Sequence, residues 1–179
     1  MSIWRFFGVE REPEDRDPGT FASSAEAMRD VVERLERLDP DRARYVARFA
    51  YVLGRVANAD LEVTEMETRA MERQVQALGG LDEAEAVLVV EIAKVQHRLF
   101  GATDSFSITR DFAKTATPEQ KRELLGCLFA VSAADENISG VEENEIRRIV
   151  KELDLAHEDF IAARASYREH VARLREETP

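Results

Sequence analysis

Val56-Ala57-Asn58-Ala59-Asp60-Leu61-Glu62-Val63-Thr64-Glu65-Met66-Glu67 recurs 75 residues later as Val131-Ser132-Ala133-Ala134-Asp135-Glu136-Asn137-Ile138-Ser139-Gly140-Val141-Glu142. Each stretch reads as a helix tail, an acidic turn and a helix start. Of the 26 positions from Leu53 to Leu78, eight are identical at the 75-residue offset. These are Leu53/Leu128, Val56/Val131, Ala59/Ala134, Asp60/Asp135, Glu67/Glu142, Arg73/Arg148, Val75/Val150 and Leu78/Leu153. Val63/Ile138, Thr64/Ser139 and Met71/Ile146 match in character. An amphipathic helix pair cannot bury both of its apolar faces alone, so two such pairs stacked together are the expected solution.

Working outward, the period of the apolar residues is helical almost throughout. Ser23 or Ser24 is placed to cap a first helix carrying Met28, Val31, Val32, Leu35 and Leu38, which Asp39-Pro40 ends. A second helix, 41–57, sets Tyr45, Phe49, Val52, Leu53 and Val56 on one face. A third, 64–78, turns Met71, Val75 and Leu78 inward and stops at Gly79-Gly80. From Asp82 a very apolar helix runs through Val87, Leu88, Val89, Val90, Ile92, Val95 and Leu99. The Val87–Val90 run suits a strand by itself, but its length and its Ala, Glu and Lys context favour a buried central helix. Shorter patterns predict helices over 105–115, 119–134, 139–153 and 157–176, with Pro118 in a first helical turn. The expected fold is all-α, with seven to eight helices and two repeated helix-turn-helix units, 41–78 and 119–153, in a single bundle. Residues 1–22 form a tail with an aromatic head (Trp4, Phe6, Phe7) and a charged, proline-containing connector, leaving 23–179 as the helical domain.

Composition narrows the function. The chain of 179 residues carries 25 Lys and Arg against 36 Asp and Glu, a formal net charge of -11. Nucleic acid is thereby excluded as a partner, because phosphate binding needs a basic footprint; cations and basic proteins suit such a surface. The single cysteine, Cys127, rules out a disulfide framework and makes the cytoplasm the expected compartment. No apolar run approaches the roughly 20 residues a membrane span needs, and the N-terminus lacks the pattern of a secretory signal. The aromatic head offers a peripheral membrane or partner contact, although such clusters more often fold back on their own domain.

Two accounts of the acidic turns stand side by side. Thr64-x-x-Glu67 and Ser139-x-x-Glu142 have the pattern of capping boxes, and carboxylates in a first helical turn complement the helix dipole. The windows Asp60–Glu72 and Asp135–Arg147 also carry five acids and one arginine each, a supply of oxygens that hard divalent cations accept. Asp135-x-Asn137-x-Ser139-Gly140 imitates the opening of an EF-hand loop. The imitation fails at the twelfth position, where a bidentate glutamate is required and Ile146 stands. In the first turn Glu65 replaces the glycine and Met71 the glutamate.

The motif Ala-Asp-x-x-[Val/Ile]-[Thr/Ser]-x-x-Glu, used twice in a helical chain of this size, resembles the TerB tellurite-resistance family over roughly residues 40–160. The resemblance implies an all-helical fold with a pseudo-twofold arrangement and a role in tellurite or stress response. It also implies metal-ligand roles for Asp60, Glu67, Asp135 and Glu142, with Glu62, Glu65 and Asn137 as supplements. The family often has glycine after the aspartate, where this chain has Leu61 and Glu136.

Catalysis has little support in the residues. His97, His157 and His170 are far apart and lack metal-ligand spacing, and Cys127 lies among apolar residues that suppress thiol reactivity. The expectation is a non-enzymatic acidic helical module that acts on other proteins, with calcium or magnesium as the candidate ion. A scaffold without an ion site is the alternative, and a metal-dependent hydrolase a more distant one.

Overall fold

The computed structural model describes residues 21–57, 65–100, 105–134 and 138–168. Over these residues the chain forms eight helices and no strand. They are α1 (Phe21–Glu36), α2 (Pro40–Gly54), α3 (Glu65–Leu78), α4 (Glu83–Phe100), α5 (Ser105–Thr115), α6 (Pro118–Ser132), α7 (Gly140–Glu152) and α8 (His157–Ala165). The aromatic head, the proposed helix beyond residue 168 and the 58–64 turn lie outside the described residues.

Local chemistry sets most of the helix starts. Asp39 caps α2, its carboxylate accepting from the Asp41 and Arg42 amides, with Pro40 as the first helical residue. Thr117 and Gln120 form a capping box that opens α6, again with proline first. Asp82 and Glu85 exchange the same two bonds at the start of α4. At the end of α3, Gly80 takes a φ of 60°, a left-handed conformation that glycine adopts without a Cβ clash. The first helix differs from expectation: Ser23 and Ser24 lie inside α1, which already includes Phe21 and Ala22 of the predicted tail.

The core forms around α2 and α4, which pack on each other, with α3 against α4 and α6, α5 against α2 and α7, and α8 against α6. α2 is less one-sided than its pattern suggested. Ala43, Val46, Ala47 and every residue from Phe49 to Gly54 are buried, so neighbours enclose the C-terminal half of the helix. In α4, Leu88, Val89, Val90 and Ile92 are buried, as a central helix requires. Tyr45, Phe49 and Phe112 make an aromatic cluster joining α2 and α5, with ring centroids 5.5–6.2 Å apart. Phe129 meets Phe160 at 5.5 Å and stacks on Tyr167 at 5.9 Å, which seats the C-terminal segment on α6.

Matched positions of the two units are buried alike at Leu53/Leu128, Val56/Val131, Met71/Ile146 and Val75/Val150. They diverge at the last pair. Leu153 is fully buried, whereas Leu78, expected inward, is 40% exposed. The reason is local: beside Leu78 the backbone of Gly79 fills the contact, with Phe49 and Cys127 close enough to touch a Cβ placed there.

A buried polar cluster joins the two units. Arg55, at the C-terminal end of α2, has a side chain only 5% exposed. Its Nε and Nη2 donate to Glu145 Oε1 at 2.9 and 2.6 Å, and Nη2 also reaches Glu152 Oε1 at 3.2 Å. Its Nη1 donates to Thr109 Oγ1 at 2.7 Å and to Glu152 Oε2. A guanidinium has five N–H donors, and these five contacts can occupy all of them. Burial lowers the Arg55 pKa, but Glu152 and Glu145 outweigh it and raise the value above the ordinary one. Removing one partner of a buried pair leaves an uncompensated charge, at a cost of about 3–5 kcal/mol. Arg55→Ala is therefore expected to destabilise the protein by about that amount in urea unfolding; a loss below about 1 kcal/mol would show that the cluster does not hold the units together.

Candidate functional site

The second acidic turn leads directly into α7. Ser139 Oγ accepts from the Glu142 amide at 3.2 Å, while Glu142 Oε2 accepts from the Ser139 amide at 2.8 Å, so the predicted capping box is present. Ile138, just before the cap, is fully buried and plugs the turn into the core. The equivalent cap at Thr64 lies outside the described residues.

The acids of this window have structural partners that sequence alone did not reveal. Glu143 accepts from Arg147 at 2.6 Å and from Arg164 at 3.2 and 3.3 Å, which ties α7 to α8. Arg147 also stands 4.4 Å over the Phe160 ring. Glu145 serves Arg55 and pairs with Arg148 at 3.1 Å. Three of the five acids counted as a cation supply are thus engaged in a cap or in ion pairs. The remaining two, Asp135 and Glu136, lie outside the described residues, as does Asn137.

In the first window Asp60 and Glu62 lie outside the described residues. Glu67 falls within α3, but its side chain is not among those described. Glu65 is exposed and loosely paired with Arg69 at 3.9 Å. Of the four candidate ligands, Glu142 alone has a described side chain, and its Oε2 is committed to the cap. Among the described residues no three His, Cys, Asp or Glu side chains converge as a metal-ligand set. The EF-hand comparison fails structurally as well: Ile146 and Met71, at the twelfth positions, are buried.

Other candidate groups are packed into the fold. Cys127 is fully buried, and burial, aided by Glu123, pushes its thiol up to about 12. His157 stacks on Phe160 with centroids 6.1 Å apart, while the His97 side chain and His170 lie outside the described residues. Arg42 holds the buried Glu85 carboxylate with two donors and stacks 5.0 Å over Tyr45. Between α3 and α4 lies an open groove of about 300 Å³ lined by Arg69, Glu72, Arg73, Gln76, Glu83, Ala86 and Val87. Its charges are of both signs and no thiol, hydroxyl or imidazole lines it.

One signal could have exposed the Arg55 cluster. At the 75-residue offset Arg55 corresponds to Ala130, Glu145 to Ala70 and Glu152 to Ala77. Three charged residues that replace three alanines in the matching unit are a sign of charges serving one another.

These observations define an all-helical bundle with capped acidic helix starts. A family model described as tellurite resistance protein TerB matches residues 46–165, most of the chain, and the protein belongs to that family. The match reaches the end of α8, farther than the sequence motif alone suggested, and leaves out α1. No curated protein and no solved structure matches the chain. No helix among the described residues is long and apolar enough to cross a membrane.

The Glu143 pairing has a pH signature. Burial alone raises its pKa, but hydrogen bonds from Arg147 and Arg164 outweigh this and hold it below the ordinary 4.5. A carboxylate depressed in the folded state contributes fully above its unfolded value and loses the contribution as pH falls through the folded one. Glu143→Gln should therefore lower stability at pH 7 by no more than about 1 kcal/mol, since both arginines are partly exposed. It should also flatten the loss of stability below about pH 4.5, read from denaturant midpoints across the acid range. A parallel downward shift at every pH would contradict the pairing.

Proposed function

We propose that this TerB-family protein is a non-enzymatic interaction module, linked through its family to tellurite resistance, whose two acidic turns are its working ends. One observation carries this reading: Glu142, Glu143 and Glu145 stabilise the start of α7 and its packing. The helix thereby becomes a rigid support for the acidic stretch that precedes it in the sequence, which includes Asp135 and Glu136. Asp60 and Glu62 precede α3 in the matched stretch of the sequence. Acyl transfer or hydrolysis would call for a nucleophile beside a base, whereas the thiol of Cys127 is buried and held in its neutral form. In a host that depends on the protein for tellurite tolerance, Asp60→Asn with Asp135→Asn should abolish tolerance while the helical circular dichroism is retained. Unchanged tolerance would remove the turns from the function.

A divalent cation at the turns is the second part of the proposal. Asp60 with Glu67, and Asp135 with Glu142, would hold calcium or magnesium, helped by Glu62, Glu65 and Asn137. The cap hydrogen bond uses Oε2 of Glu142, so coordination through Oε1 is compatible with it. With so many neighbouring acids already engaged, affinity should be weak, about 0.1–1 mM, the range of low-affinity calcium modules. Calcium titration followed by amide NMR should move the Asp60 and Asp135 signals saturably in that range. Signals unmoved at about ten times those concentrations would eliminate the ion and leave the interaction reading in place.

A further inference from the structure

The open groove between α3 and α4 carries charges that nothing in the protein answers. Glu72, Arg73 and Gln76 line it from α3 and Glu83 from α4, with Ala86 and Val87 as its apolar residues. On each helix these positions are three and four residues apart, so they project along one face. Among the described residues, the side chains of Glu72, Arg73, Gln76 and Glu83 make no hydrogen bond or ion pair. Arginines that face a neighbouring helix elsewhere do find an acid: Arg34 pairs with Glu91, Arg42 with Glu85 and Arg164 with Glu143. In this groove opposite charges stand on facing helices and miss each other.

The repeat sharpens the point. Arg73 corresponds to Arg148 at the 75-residue offset, and Arg148 pairs with Glu145, three residues before it, at 3.1 Å. Three residues before Arg73 stands Ala70. The first unit thus keeps the guanidinium without the acid that answers it in the second.

The mixture of charges selects the ligand. A simple anion at Arg73 is opposed by Glu72 and Glu83, and a simple cation at the glutamates by Arg73 and Arg69. A molecule with one charge of each sign satisfies both, and its apolar body has Ala86 and Val87 to cover. The volume of about 300 Å³ lies at the small end of ligand sites. An extended dipeptide separates its ammonium and carboxylate by roughly 7 Å, which bridges charges too far apart to pair directly.

We propose that the α3–α4 groove binds a short zwitterionic peptide, its carboxylate on Arg73, its ammonium on Glu83 and its side chains on Ala86 and Val87. The proposal draws nothing from Asp60 or Asp135, so its outcome is separate from that of the reading above.

The probe is leucyl-leucine, titrated by calorimetry into the full chain beside N-acetyl-leucyl-leucine and leucyl-leucine amide. The free dipeptide should bind saturably, and each blocked form about tenfold more weakly. Arg73→Gln and Glu83→Gln should each weaken the free dipeptide by about tenfold. Arg37→Gln, at an exposed arginine outside the groove, should change it by less than about twofold. All three positions are exposed, and circular dichroism verifies that the variants remain folded. No saturable binding up to about 10 mM overturns the proposal. So does full affinity in either blocked form, which would mean that the termini are not read. Unchanged affinity in Arg73→Gln or Glu83→Gln, or an equal loss in Arg37→Gln, overturns it as well.

Discussion

The constraint on which the rest of the fold depends is a guanidinium buried where two helical units meet. Arg55 closes α2, and its partners Thr109, Glu145 and Glu152 lie on α5 and α7. Moving such a charge from water into an apolar interior costs several kcal/mol, and only good geometry with satisfied donors offsets it. Because every donor can be occupied at once, the cluster tolerates one arrangement of the three helices and opposes others. It also ties together two stretches far apart in the sequence. Arg55 stands three residues ahead of the 58–64 turn, and Glu145 lies on the helix that begins at the second turn. The end of α2 and helix α7 are thus anchored to one another through a single side chain.

Much of the architecture was legible in the chain because it rests on local rules. Pro40 and Pro118 at first helical positions, Gly79-Gly80 after α3 and the Ser139/Glu142 box are each readable within a few residues. The apolar period marked α4 as a buried helix even though Val87–Val90 taken alone suits a strand. Ser23 and Ser24 were misleading because a capping residue type is also tolerated inside a helix once neighbouring turns support it. Leu78 was misplaced because burial at a helix end depends on what lies beneath it, and there Gly79 makes the contact.

The candidate site was less legible, for a different physical reason. A window of acids shows how many carboxylates exist but not which are already satisfied. Glu145 finds Arg55 across 90 residues and Glu143 finds Arg164 across 21, separations that no local pattern reports. The exchange of Arg55, Glu145 and Glu152 for alanines at the 75-residue offset is the trace such pairing leaves between two matched stretches of sequence. Once these acids are assigned, the start of α7 is a structural base whose carboxylates are committed to a cap and to ion pairs. The TerB family match covers both acidic stretches of the sequence.

A double-mutant cycle between Arg55 and Glu152 tests this account most directly, using Arg55→Met, Glu152→Gln and the pair together in chemical unfolding. A buried, fully bonded cluster predicts strong coupling, about 1.5–3 kcal/mol, with the double variant more stable than the sum of the single losses implies. Additive losses, within about 0.5 kcal/mol, would mean that Arg55 and Glu152 do not depend on each other. The junction between the units would then need another explanation.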